Sequence, residues 1–70
     1  MKRELLIKFG QKIRDERLAL GLSQEDLASL AHVHRTYVGM IERGEKNITL
    51  ENIDKLAKAL QIPLNKLMDF

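Results

Sequence analysis

The 70-residue chain is predicted to be all-α, a compact five-helix domain spanning residues 1–70. Three observations carry this expectation. Apolar residues recur every three or four positions along most of the chain, and no stretch alternates apolar with polar as a half-buried strand would. Helix-starting residues precede three of the apolar stretches (Ser23, Thr49 and Pro63), and glycines follow two (Gly21 and Gly44). The connections are short, as they are between neighbouring helices of a small bundle.

Each element has its own signals. Leu6, Phe9, Ile13, Arg17 and Leu20 share one face of a first helix, and Gly21 supplies its stop. Ser23 is an N-cap for a second helix, with Asp26 where a capping box places its acid. Leu27, Leu30 and Ala31 form the expected buried stripe of that helix, and small Ala28 lets a neighbouring helix come close. The turn Ala31-His32-Val33-His34 leads to a third helix, from about Arg35 to Arg43, with Val38 and Ile41 inward and Gly44 at its end. Thr49 caps a fourth helix whose apolar face is Leu50, Ile53, Leu56, Ala57 and Leu60. Pro63 opens a last helix bearing Leu64, Leu67, Met68 and Phe70.

Composition excludes several classes. The absence of cysteine removes disulfides and thiolate metal sites. No apolar run approaches membrane-spanning length, and the apolar stretch near the N-terminus is too short for a signal peptide. The chain therefore reads as cytoplasmic, with no membrane partner. His32 and His34 lie in a turn with no cysteine near, so no metal is expected there. No Ser–His–acid arrangement or phosphate-cradling glycine loop is present, so neither enzymatic activity nor a cofactor is expected. The formal net charge is only +2, so bulk charge does not single out a nucleic-acid binder. Placement has to make that case.

Placement does so between Ser23 and Gly44. Two short helices joined by a tight turn are each too short to stand alone, so packing must hold them. Arg35 and Thr36 then start a helix braced from behind, the shape that fits a major groove of double-stranded DNA. Arg35 can donate twice to guanine O6 and N7, Thr36 can bond a base or touch a thymine methyl, and Met40 is either an apolar contact one turn on or exposed filler. Gln24, at the start of the second helix, is suited to a phosphate. Arg43 and Lys46 flank the far end as backbone contacts. Tyr37 has two readings, a ring at the edge of the core or a phosphate ligand. Gly39 lies inside the reading helix and lowers its intrinsic helicity by roughly 1 kcal/mol relative to Ala.

With these residues placed, the chain resembles the Cro/C1-type helix-turn-helix family, whose fold is lambda-repressor-like. The matching pieces are LGLSQEDLA (Leu20 to Ala28), HRTYVGMIERG (His34 to Gly44) and the late segment LAKALQIPLNKL. The RTY of Arg35 to Tyr37, with IERG and NIT following, resembles restriction–modification controller proteins. The resemblance implies a homodimeric transcriptional regulator, repressor or activator, on a pseudo-palindromic operator. It implies phosphate contact from Gln24, base contact from Arg35 and Thr36, and further contacts near Tyr37, Met40 and Arg43. It also implies an ion pair between Arg17 and Glu42, in keeping with a lone charge on the apolar stripe of the first helix. The dimer contact it implies falls on Ile48, Leu64, Leu67 and Met68. An activator would also touch RNA polymerase, and no residue marks such a patch. Two departures concern the turn: His32 stands where glycine is usual, and His34 is a poor N-cap. An antitoxin-like or other protein-interaction module of the same fold is the alternative, since fold alone does not decide function.

Overall fold

The computed structural model describes residues 2–70, and among these it is built from five helices and no strand. They are α1 (Arg3–Ala19), α2 (Gln24–Ala31), α3 (Arg35–Glu42), α4 (Leu50–Ala59) and α5 (Leu64–Leu67). The third helix is α3, packed against both α1 and α2, while α4 lies on α2 and α5 on α4.

The caps follow the local chemistry. Ser23 Oγ accepts the backbone N–H of Asp26 at 2.9 Å, and the Asp26 carboxylate accepts that of Ser23 at 3.0 Å, a complete capping box. Thr49 Oγ1 accepts from the backbone N–H of Asn52 at the start of α4. His34 starts α3 with no side-chain cap bond. His32 takes the left-handed conformation (φ 58°, ψ 44°) that closes α2, the backbone shape glycine adopts without steric cost. Pro63 is the N-cap of α5, one position before the first-turn place expected of it. Arg43 is the C-cap of α3 and lies just outside it.

The core joins all five helices. Phe9 and Ile13 of α1, Leu27, Ala28 and Ala31 of α2, and Val38 and Ile41 of α3 meet Ile53, Leu56, Ala57, Leu60 and Leu67 from the C-terminal half. Gly10 lets α1 settle directly on the end of α3: a Cβ there would collide with the carbonyl oxygens of Ile41 and Glu42. Gly44 combines a positive φ of 70° with close approach to Ile7, where a Cβ would lie 2.7 Å from Ile7 Cγ1.

Three leucines expected on buried faces are exposed instead. Leu30 is 54% exposed because the stripe of α2 is centred among Leu27, Ala28 and Ala31, and at about 100° per residue Leu30 falls roughly 110° away. Leu50 is 72% exposed in the first turn of α4, where a side chain leans back past the helix end into solvent. Leu20 sits beyond α1, on the outside of the turn made by Gly21, and is also exposed.

The dimer assignment of Leu67 requires correction. Its side chain is 0% exposed within one chain, so it is core and has no surface to offer a partner. Ile48 is likewise buried and packed into the core cluster. Leu64 and Met68 remain exposed. Phe70, past the end of α5, places its ring 6.0 Å from that of Phe9, tilted by 58°.

Candidate nucleic-acid interface

A buried ion pair anchors α3. Arg17 Nε donates to Glu42 Oε2 at 2.7 Å, and Arg17 Nη2 donates to Oε1 at 3.0 Å. Arg17 Nη1 takes the carbonyl oxygen of Leu22 at 2.8 Å. The fork thus ties α1 to the end of α3 and to the loop before α2. The hydrogen bond to Glu42, and secondarily its charge, hold the Arg17 pKa above the ordinary arginine value against the opposing effect of burial. Glu42 Oε1 also accepts from Gln24 Nε2 at 3.1 Å. One carboxylate therefore secures the helix from behind and sets the direction of the Gln24 amide in front.

That amide borders a shallow cleft lined by Gln24, Arg35, Thr36, Gly39 and Arg43. Four of the side chains expected to meet DNA therefore converge on one depression, with Gly39 as its floor. Arg35 and Thr36 are exposed, as a groove-reading first turn requires. Met40 is half-buried, and Lys46 is exposed in the following loop. Neither lines the cleft, and neither does Tyr37.

Tyr37 packs its ring against the core, and its hydroxyl oxygen accepts Asn52 Nδ2 at 3.0 Å. Both readings of Tyr37 therefore have a physical basis. The ring belongs to the core edge, and the hydroxyl proton stays available to an acceptor outside. The bond joins α3 to α4. Asn52 was not expected here from sequence; the signal available was its position bordering the apolar stripe of α4.

Arg43 is engaged by an acid that sequence reasoning assigned no role. Its Nε donates to Glu45 Oε2 at 3.0 Å. The bond raises the Arg43 pKa and lowers that of Glu45, the shared hydrogen bond being the first cause of both shifts. Both side chains are solvent-exposed, so the pair adds little to stability. Its effect is to orient the guanidinium.

The lining residues offer N–H donors and no carboxylate of their own, so the cleft suits ligands that present acceptors. Phosphate oxygens and the guanine major-groove edge both qualify. Among the described residues, no group of three or more His, Cys, Asp or Glu side chains is placed to hold a metal ion. No described helix is long and apolar enough to cross a membrane.

Known proteins agree with this architecture. A helix-turn-helix family model matches residues 13–67. The chain is 45% identical over 71 residues to the control protein C.BamHI of Bacillus amyloliquefaciens, covering 100% of this chain and 88% of that protein. It is 45% identical over 60 residues to the control protein C.SmaI of Serratia marcescens, covering 86% and 71%. The crystal structure of the restriction–modification controller protein C.AhdI from Aeromonas hydrophila superimposes with a TM-score of 0.87 at 55% identity, covering 89% of this chain and 94% of that one. The chain belongs to the helix-turn-helix family, and within it resembles the restriction–modification controller proteins.

Proposed function

We propose that this protein is a sequence-specific, DNA-binding transcriptional regulator of the restriction–modification controller kind, acting in the cytoplasm as a homodimer on a pseudo-palindromic operator. The observation that carries the reading is the convergence of Gln24, Arg35, Thr36 and Arg43 on one cleft of a rigidly backed helix. Each protomer lays α3 in a major groove, with half-sites about one helical turn apart, ~34 Å. Arg35 and Thr36 read bases, and Met40 touches a thymine methyl. Gln24, Tyr37 and Lys46 grip the backbone and set the register, and Arg43 adds a further DNA contact from the same cleft. Leu64 and Met68, the exposed members of the C-terminal apolar set, supply the contact between protomers. Where the operator lies upstream of a promoter, the same dimer is positioned to touch RNA polymerase.

Selection of bound sequences from a random duplex pool tests the proposal. Enrichment of a pseudo-palindrome with half-sites one turn apart is the expected result. A pool that stays unenriched, alongside a tight complex with another protein, would instead favour the interaction-module reading.

A further inference from the structure

We propose, building on the DNA-reading function above, that Arg43 reads a guanine rather than gripping a phosphate, and that Glu45 is the positioning residue that aims it. The argument begins at Gly39. Arg43 follows Gly39 by four residues, and its guanidinium folds back over that glycine. A Cβ at position 39 would lie 3.1 Å from Arg43 Nη1 and 3.9 Å from Cζ. The missing side chain is thus the space the guanidinium uses. Arg43 does not trail off the end of α3 toward the phosphate rail but lies in the cleft beside Arg35 and Thr36.

The orientation of the fork comes from Glu45. Its carboxylate takes Nε at 3.0 Å, and this leaves the terminal Nη1 and Nη2 edge free. That edge carries two parallel N–H donors, the pattern that meets guanine O6 and N7 together. Adenine and cytosine each present an amino donor on the same groove edge, so a donor-only fork rejects them.

Charge separates a base from a phosphate as the partner. A phosphate drawn to Arg43 would sit close to the Glu45 carboxylate, which repels it. The guanine edge is uncharged and suffers no such repulsion. Lys46, exposed in the same loop, has no carboxylate bound to it among the ion pairs of the described residues and is the better phosphate ligand.

The test is equilibrium binding of wild type, Arg43→Ala, Glu45→Ala, the double variant and Gly39→Ala to a panel of duplexes. The panel carries the selected operator with each base pair replaced in turn, at two salt concentrations. Arg43→Ala is expected to lose roughly tenfold discrimination at one G·C pair, a different pair from that lost in Arg35→Ala, with the salt dependence nearly unchanged. Glu45→Ala should lose discrimination at that same pair, and the double variant should lose no more than Arg43→Ala alone. Gly39→Ala should erode the same pair by displacing Nη1. Thermal midpoints of Arg43→Ala and Glu45→Ala should match wild type, because both side chains are exposed.

Two results would overturn the inference while leaving the function standing. In one, Arg43→Ala weakens every duplex alike and flattens the salt dependence, the mark of a phosphate contact. In the other, Glu45→Ala strengthens every duplex equally, the mark of a general electrostatic brake. A wild-type chain with no preference across the panel would overturn the proposed function, and this inference with it, before any variant is compared.

Discussion

Arg17 and Glu42, 25 positions apart, meet through two hydrogen bonds of 2.7 and 3.0 Å, with side chains only 8% and 3% exposed. A pair this buried contributes less than its Coulomb attraction suggests, because both charges gave up water to form it. Breaking one half is a different matter. Glu42→Ala leaves the Arg17 guanidinium buried with only Leu22 as partner and releases the Gln24 amide. It is expected to cost about 3–5 kcal/mol in chemical denaturation. Replacing both residues with apolar side chains of similar volume should recover most of that loss. A Glu42→Ala variant as stable as wild type would show that the ion pair does not hold α3.

The two ends of the proposed DNA-reading surface should respond differently to truncation. Arg35 is exposed on the first turn of α3, and Arg35→Ala is expected to cost about 1–3 kcal/mol at a single base-pair position. Lys46 lies in the loop beyond α3, and Lys46→Ala should weaken all sequences alike and reduce the salt slope by about 1. Titration of a base-substituted duplex panel at several salt concentrations measures both. If Arg35→Ala left sequence preference intact, base reading would have to be assigned elsewhere in the cleft.

At the C-terminus, burial separates neighbours that sequence alone grouped together. Leu67 is core, so Leu67→Ala is expected to destabilise the chain by about 2–5 kcal/mol at any protein concentration. Met68 and Leu64 are exposed, so Met68→Lys or Leu64→Lys should leave the folded chain stable and move the monomer–dimer equilibrium toward monomer. Sedimentation over a concentration series distinguishes these effects. A Met68→Lys, Leu64→Lys double variant that dimerised as wild type does would remove α5 from the interface.

The contrast shows what a sequence can reveal here. The Ser23–Asp26 capping box, the Thr49 cap, the strained turn at His32 and the glycines after α1 and α3 are all decided within three or four residues, so local chemistry exposes them. Arg17 was legible because a single charge on an apolar stripe calls for a partner. Leu30 was not, since an eight-residue helix carries apolar residues on two adjacent faces and only its neighbours choose between them. Leu64 and Leu67 sit in a four-residue helix, too short for a period to show which one turns inward. Gly10 and Gly39 matter for what comes near them, the carbonyls of α3 in one case and the Arg43 guanidinium in the other. Neither approach leaves a mark in the adjacent sequence. In the cleft, Gln24, Arg35, Thr36 and Arg43 were each read from residue type and position, but the support of Gln24 by Glu42, and beside the cleft of Tyr37 by Asn52, depends on tertiary geometry, and that of Arg43 by Glu45 on the path of the loop after α3.

His32 holds a left-handed backbone at φ 58°, where a β-carbon meets steric resistance that glycine avoids. His32→Gly relieves that strain but also loosens the unfolded chain, which offsets part of the gain. The net expectation is a stabilisation of about 0.5–1 kcal/mol, seen as a rise of a few degrees in the thermal midpoint. The turn geometry and DNA affinity should be unchanged. A midpoint that fell would mean that the His32 side chain supplies a contact outweighing its strain.

Asp26 gives the fold a dependence on acid. Its carboxylate is held below the ordinary aspartate value near 3.8, first by the backbone N–H of Ser23 and then by the Ser23 side chain. A group whose pKa is lower in the folded state binds protons more readily when the chain unfolds. Its contribution is therefore complete above about pH 4 and fades as the pH falls through the folded-state value. Asp26→Asn keeps an oxygen that can accept from Ser23 but removes the charge that favours the N-terminus of α2. The stability gap between wild type and Asp26→Asn should be widest near neutral pH and should narrow steadily below pH 4. Denaturation at a series of pH values and constant ionic strength measures it. A gap of the same size at pH 7 and pH 2.5 would mean that the Asp26 charge does not stabilise α2 and that its role in the cap is carried by hydrogen bonding alone.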